Sequence, residues 1–362
     1  MPMRAGLRIR CGVVAVALAA AGAGVSGQQP PPFTPNGVLP VLEAYLESLR
    51  IQAGIPGMSA AVVREGAIIW ERGYGFQNVT TRVRATPDTP YPVGDMSATL
   101  AATLLLQCVE QRHLELDQPI ARYGADSEAT LRQVLSHAAP EGAPEAFVFD
   151  PERYARLGQV IEHCAPQPYR KSVAHRLLNR LAMRDSVPGT DVAIGAEVLP
   201  EGLFEPEEVD RYRRVLERMA VSYKVDSKGR PERSSLTPTG ITTVGGLVST
   251  VRDLAKLDAA LDSALLLLPE TLDAAWSPAL STRGTPLPTG LGWFVQYHRG
   301  ERVVWHFGYL PNAYSSLIVK VPARNLTFIL LANSDGLSAP FQLSSGDVTR
   351  SLFATLFLRL TT

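Results

Sequence analysis

Two β-rich segments stand near opposite ends of this chain, with helical periodicity between them, and this arrangement restricts the fold more than any other feature. Near the start, Met58 to Arg64 and Ala67 to Arg72 are rich in branched and aromatic residues, and Glu65-Gly66 between them reads as a hairpin turn. Near the end, residues 292–297, 314–321 and 326–332 read as three more strands, followed by a closing helix over 348–360. The intervening residues carry helical spacing. Met96 to Gln111 places Leu100, Leu104, Leu105, Cys108 and Val109 on one stripe, and shorter helices are expected over 127–136, 151–163 and 251–264. A first helix is expected over 38–52, and 216–238 reads as a polar surface excursion. One sheet assembled from both ends of the chain, mostly antiparallel and flanked by helices, is the expected α+β architecture. Its sheet region covers about 38–92 and 238–362, with a helical insert over about 93–237.

The N-terminus has its own pattern. Arg4, Arg8 and Arg10 precede an uncharged apolar run from Cys11 to Ala23, and Val25-Ser26-Gly27 supplies small residues for cleavage. The run is shorter than the roughly 20 residues that span a bilayer. Residues 1–27 therefore read as a signal peptide rather than an anchor, 28–37 as a Pro-rich tether, and 38–362 as the folded domain. The expected location is periplasmic or extracellular, with no membrane attachment after cleavage. Cys108 and Cys164 would then remain in a compartment that permits disulfides, where they can pair or serve as small buried hydrophobes.

Basic and acidic residues balance at 35 each in the whole chain. No basic stripe interleaved with aromatics offers a footprint for nucleic acid. The cysteine spacing matches no metal site, and no cofactor motif is present.

Several stretches in order carry a resemblance: "PGMSAAVVREGAIIWERGYG", "LLLQCVEQRHLELDQPIARY", "YARLGQVIEHCAPQPY", "GGLVSTVRDLAKLDAAL", "GLGWFVQY" and "WHFGYLPNAYSSLIVKVPARNLTFILLANSDG". From about Val38 onward the chain resembles the class C β-lactamase-like serine hydrolases, which include DD-peptidases and esterases. The resemblance implies the β-lactamase/transpeptidase-like fold and three catalytic motifs.

Two of these motifs are missing. Ser-x-x-Lys puts a hydroxyl nucleophile and its amine base one helical turn apart, but its positions fall on Asp95 and Ala98 in "VGDMSATL". Tyr-x-Asn falls on Phe149 and Pro151, which carry neither hydroxyl nor amide. His306-Phe307-Gly308 keeps the third motif, expected on an edge strand, with Gly308 marking a close backbone approach.

Asp95 precedes the long helix and is expected to be its N-cap, with a carboxylate made more acidic by backbone N–H bonds. The alternative is a rebuilt site that recruits Asp95, Asp150, Glu152 and His306 as metal ligands or an acid/base pair, or Lys224 as a base. The spacing matches no ligand signature, and a base without a nucleophile does no chemistry.

The sequence thus points to a catalytically inactive homologue with a retained cleft lined by Asp95, Met96, Ala98, Phe149, His306, Gly308 and Tyr309. The occupant would be a small molecule, a cell-wall peptide or a protein partner. The competing reading is an active hydrolase of esters, amides or β-lactams with a rebuilt site.

Overall fold

The computed structural model describes residues 35–139, 143, 146–195 and 199–362. The expected signal peptide, 1–27, and most of the tether lie outside the described residues. Helix α1, Pro35–Gln52, begins inside the stretch read as tether and buries Leu42 and Leu46. Strands β1 (Gly57–Arg64) and β2 (Ala67–Asn78) form the expected hairpin. Glu65 and Gly66 both take left-handed backbone angles, φ 53° and 78°, as a two-residue turn between twisted strands requires.

The main sheet adds β3 (Val83–Arg84), β4 (Phe294–His298), β5 (Glu301–Leu310), β6 (Tyr314–Val321) and β7 (Leu326–Ala332), in the order β3-β2-β1-β7-β6-β5-β4. Every pairing is antiparallel. The two ends of the chain meet at β1 and β7, in register from Met58 opposite Ala332 to Arg64 opposite Leu326.

β1, β6 and β7 are buried almost throughout, because both faces of the sheet are covered. On one face Met58, Val62, Trp305, Leu317 and Phe328 pack with Leu42 and Leu46 of α1 and with Phe353 and Phe357 of the closing helix, Leu352–Thr361. The other face, including Ala61, Val304, Ile318 and Ile329, meets the helical region. There α2 (Ala98–Glu110) is buried at every position from Ala98 to Cys108, so it is a core helix rather than an amphipathic one.

The differences from expectation are local. β5 escaped the periodicity reading apart from its His306–Gly308 motif. Helix Pro206–Glu217 was not expected, and the 216–238 excursion contains a short hairpin, 223–225 with 231–233. Helix α3 (Leu157–Cys164) follows a separate turn of helix, Pro151–Ala155. Helix α4 (Val251–Asp262) lies against the sheet.

A buried charge cluster joins α4 to the sheet. The ammonium of Lys320 on β6 lies 2.7 Å from Asp258 Oδ1 and 2.8 Å from Asp262 Oδ2, hydrogen-bonds Thr327 Oγ1 at 3.0 Å, and sits 5.2 Å above the Trp276 ring. Lys320 and Asp258 are almost fully buried. Burial disfavours the ammonium, but the two carboxylates raise its pKa above the ordinary lysine value. Removing the cation alone strands two carboxylates. Lys320→Met is expected to cost about 3–5 kcal/mol in urea denaturation, and adding Asp258→Leu to recover part of that loss.

Cys108 on α2 and Cys164 at the end of α3 form a disulfide, with Cα atoms 6.1 Å apart and a sequence separation of 56. It resolves the open question of their pairing and fixes α3 to the core helix. Thiol titration of the denatured, unreduced chain should find one free thiol, from Cys11, and none after cleavage at Gly27. Replacing both paired cysteines by serine should cost about 2–4 kcal/mol.

Candidate functional site

The degenerate motif positions meet where the chain turns into α2. β4 pairs with β5 only from Glu301 to Trp305, so His306–Leu310 is a local edge although β5 as a whole is interior. The turn at Val93–Asp95 docks on that edge. Gly94 has φ 59°, and a Cβ there would stand 2.8 Å from the Tyr309 nitrogen; one on Gly308 would stand 1.8 Å from the Val93 oxygen. Gly308 thus marks the close approach expected of it. Ser316 Oγ donates to the same Val93 oxygen at 2.7 Å. A 3₁₀ turn, Gly94–Ser97, then leads into α2.

Asp95 is not the helix cap. It lies within the 3₁₀ turn, and neither Val93 nor Ser97, the residues at the capping positions, makes a side-chain cap. Its carboxylate reaches across to the sheet instead, accepting the Tyr309 N–H at 3.0 Å and its own backbone N–H. The expected acidification is also reversed. Burial outweighs the two N–H bonds and pushes the carboxyl up to about 6.

A cavity of about 380 Å³ opens over this carboxylate. Asp95, Phe149, Pro151 and Tyr309 line it, so three of the expected wall residues and one further motif position converge. Met96, Ala98, His306 and Gly308 do not line it. Met96 and Ala98 belong to the core between α2 and the sheet, and the Tyr154 hydroxyl donates to the Ala98 carbonyl at 3.2 Å.

His306 is nearly fully buried, edge-on to Trp293, with Nδ1 2.8 Å from the Phe307 carbonyl oxygen and 3.0 Å from the Phe307 nitrogen. Burial pushes its pKa down to about 4, so it is neutral at physiological pH. The reason is strand alternation: 306 and 308 face the helical region, whereas 307 and 309 face the cleft. Phe307 therefore lines the cavity in place of His306. The same alternation, applied to the "HFGY" motif, could have found it.

The remaining wall comes from residues 338–344, including Ser338, Gln342 and Leu343. Short 3₁₀ turns build this segment, with Gln342 at φ 48°; it has no periodicity to give it away. Phe149 joins an aromatic cluster, with ring centroids 4.7 Å from His137 and 5.5 Å from Phe307. His137 accepts the Asp150 N–H at Nδ1, and burial pushes its pKa down to about 3.

Among the described lining residues no hydrogen bond joins a nucleophile to a base. The Ser338 hydroxyl donates to the Gly308 carbonyl at 2.9 Å, Ser344 is exposed, and Asp95, the one acid of the wall, is hydrogen-bonded to the Tyr309 N–H rather than to either serine. The proposed metal or acid/base set is not assembled. Asp150 caps the helix that starts at Pro151 by accepting the Arg153 N–H, and Glu152 is exposed. Among the described residues no group of three or more His, Cys, Asp or Glu gathers for a metal. Lys224 is exposed and lies outside the cavity.

A larger groove of about 780 Å³ runs between the Gly66 turn, Arg180–Ala182 and α4. It contains none of the motif positions. Two of its cations are committed elsewhere, Arg252 to Glu71 and Asp88 and Lys256 to Asp253.

Comparison with known proteins identifies the family and the fold. A family model described as Beta-lactamase matches residues 42–344. The D-aminopeptidase of Brucella canis is 24% identical over 298 residues, covering 76% of this chain and 56% of that protein. The chain thus spans little more than half the length of that relative. The octameric penicillin-binding protein homologue from Pyrococcus abyssi superposes with a TM-score of 0.68 at 22% identity, over 89% of this chain and 77% of its own. A class C beta lactamase from Rhodobacter sphaeroides gives 0.65 at 16% identity, over 89% and 99%. At these identities the solved structures establish the fold.

The raised Asp95 pKa has a signed consequence. The folded value lies above the unfolded one of 3.8, so the charged carboxylate costs stability at neutral pH. That cost disappears as pH falls from about 6 to below 4. Asp95→Asn keeps an oxygen for the Tyr309 N–H and should be more stable by about 1–3 kcal/mol at pH 7.5, with the difference closing by pH 4. Denaturant titrations of both proteins across that range check it, and a destabilised Asn variant at pH 7.5 would contradict the assignment.

Proposed function

The chain belongs to the beta-lactamase family, and from that premise we propose that it is an exported binding protein whose cleft holds a ligand without turning it over. The observation that carries this reading is the start of α2. Where the chemistry needs a hydroxyl with an amine one turn on, Asp95 is fastened to the Tyr309 N–H and Ala98 is buried against Tyr154. Attack by a carboxylate on an ester or amide would yield an anhydride, uphill of a serine ester. Ser338 of the cavity wall is bonded to a backbone carbonyl, and the one wall carboxylate is bonded to the Tyr309 N–H rather than to a serine. Export rests on the arginine-led apolar segment at residues 4–23, and the Cys108–Cys164 pairing suits an oxidising compartment.

One observation favours the competing reading of a rebuilt hydrolase. A cleft carboxyl that titrates near 6 is poised for proton transfer. To work as a base on water it would need partners to hold the water and to stabilise the charge developing on the substrate. The two N–H groups suited to the second task are already taken by its own oxygens.

The test is direct. Incubation with a fluorescent penicillin or a fluorophosphonate should leave the protein unlabelled, and nitrocefin should hydrolyse at the buffer rate. Stoichiometric labelling that disappears in Ser338→Ala, or in any other single serine variant, would overturn the binding-protein reading.

A further inference from the structure

The cavity over Asp95 is chemically one-sided. Asp95 is its sole ionisable carboxylate, and no Lys, Arg or His is among the described lining residues. Three aromatic rings, Phe149, Phe307 and Tyr309, face the same space, with Leu343 and Pro151 completing apolar walls. The carboxylate is held by backbone donors alone. An ionised carboxylate can accept at about four lone-pair sites, so its capacity is not exhausted.

We propose that this cleft binds a protonated amine carried on an apolar or aromatic body, with the ammonium on the Asp95 carboxylate and the body against Phe149, Phe307 and Tyr309. The assignment rests on the reading of the cleft as a binding site and names the class of its occupant. A carboxylate desolvated without a cation is an uncompensated charge, and an incoming ammonium supplies the missing partner. Aromatic faces add cation–π attraction within about 6 Å of a ring centre. A volume of about 380 Å³ falls in the small-molecule range. An anionic ligand meets the opposite situation, because the paired N–H groups are occupied and the resident carboxylate repels it.

The titratable groups on the surrounding elements do not alter this sign. His306 on β5 and His137 behind Phe149 are neutral above about pH 4 and pH 3. Asp150, next to Pro151, caps a helix, and Asp335, ahead of Ser338, accepts the Asn312 N–H at 2.8 Å. Arg153 is turned to the Ala138 carbonyl. Arg350 is exposed, hydrogen-bonds Gln342 and Ser345, and is not a lining residue.

Isothermal titration calorimetry on the purified protein with 2-phenylethylamine, 2-phenylethanol and 3-phenylpropionate tests the assignment. At pH 7.5 the amine should bind at least about tenfold more tightly than either analogue, as one desolvated ion pair provides. At pH 5 its affinity should fall about tenfold, because a carboxyl titrating near 6 is then mostly protonated. Asp95→Asn should abolish both the preference and the pH dependence; the wild-type pH series decides the matter if that variant does not fold. Equal or tighter binding of 3-phenylpropionate, an unchanged amine affinity in Asp95→Asn, or no amine binding up to about 10 mM would overturn it. Binding of the propionate without the amine would sink this assignment and leave the binding cleft standing. Covalent labelling in the earlier assay would sink the binding reading itself.

Discussion

The contact between the Val93–Asp95 turn and the open half of β5 exists because both surfaces are glycine. Side chains at 94 and 308 would each collide with backbone, which cannot rotate out of the way. The carbonyl of Val93 is then close enough to take the Ser316 hydroxyl, and the Tyr309 N–H is left pointing at residue 95. α2 starts from this fixed point and runs buried to Cys108, where the disulfide ties it to α3. The cleft floor is therefore held from both ends of one rigid helix, which is the condition for a site with defined geometry.

Within that frame, the aspartate sets two electrostatic effects against each other. Two N–H donors favour a carboxylate, and loss of water disfavours it; burial wins, since the carboxyl titrates near 6 instead of near 4. An amide or a serine would fit the same donors without that cost. A charge that opposes folding, set in an apolar cavity, is the kind of local inconsistency expected at functional positions rather than in scaffold.

Sheet and helices were legible where periodicity is strong. The hairpin at Glu65-Gly66, the run 96–111 and the strands over 314–321 and 326–332 all stand close to where alternation and helical spacing put them. The site was half legible. Asp95, Phe149, Pro151 and Tyr309 could be placed because motif spacing survives the loss of the motif residues. His306 was misplaced because a motif read as a unit ignored the two-residue period of the strand carrying it. Residues 338–344 were illegible, since irregular turns leave no period. The pKa of Asp95 was illegible for a different reason. Burial at one carboxylate depends on β5 and the 338–344 segment, which are hundreds of residues away in sequence.

The four altered motif positions make sense as a set. Without a serine at 95 an amine at 98 has no proton to take, and Ala98 instead packs against Tyr154 in the core. Without that pair, a hydroxyl at 149 has nothing to relay, and Phe149 extends a cluster that continues through Phe307 and Phe294 to Trp305. Pro151 trades a polar side chain for a preset helix start behind the Asp150 cap. Each change replaces a group that needs a charged or hydrogen-bonded partner with one that packs, except at 95. There the replacement runs the other way, from a neutral hydroxyl to an ionisable acid facing the cavity. If the chain is the inactive homologue proposed above, any small residue at that position would have sufficed to remove the nucleophile. On the binding reading proposed above, the acid is kept despite its cost to folding because the cleft uses its charge, and a cation is what a lone carboxylate among aromatic rings is suited to hold.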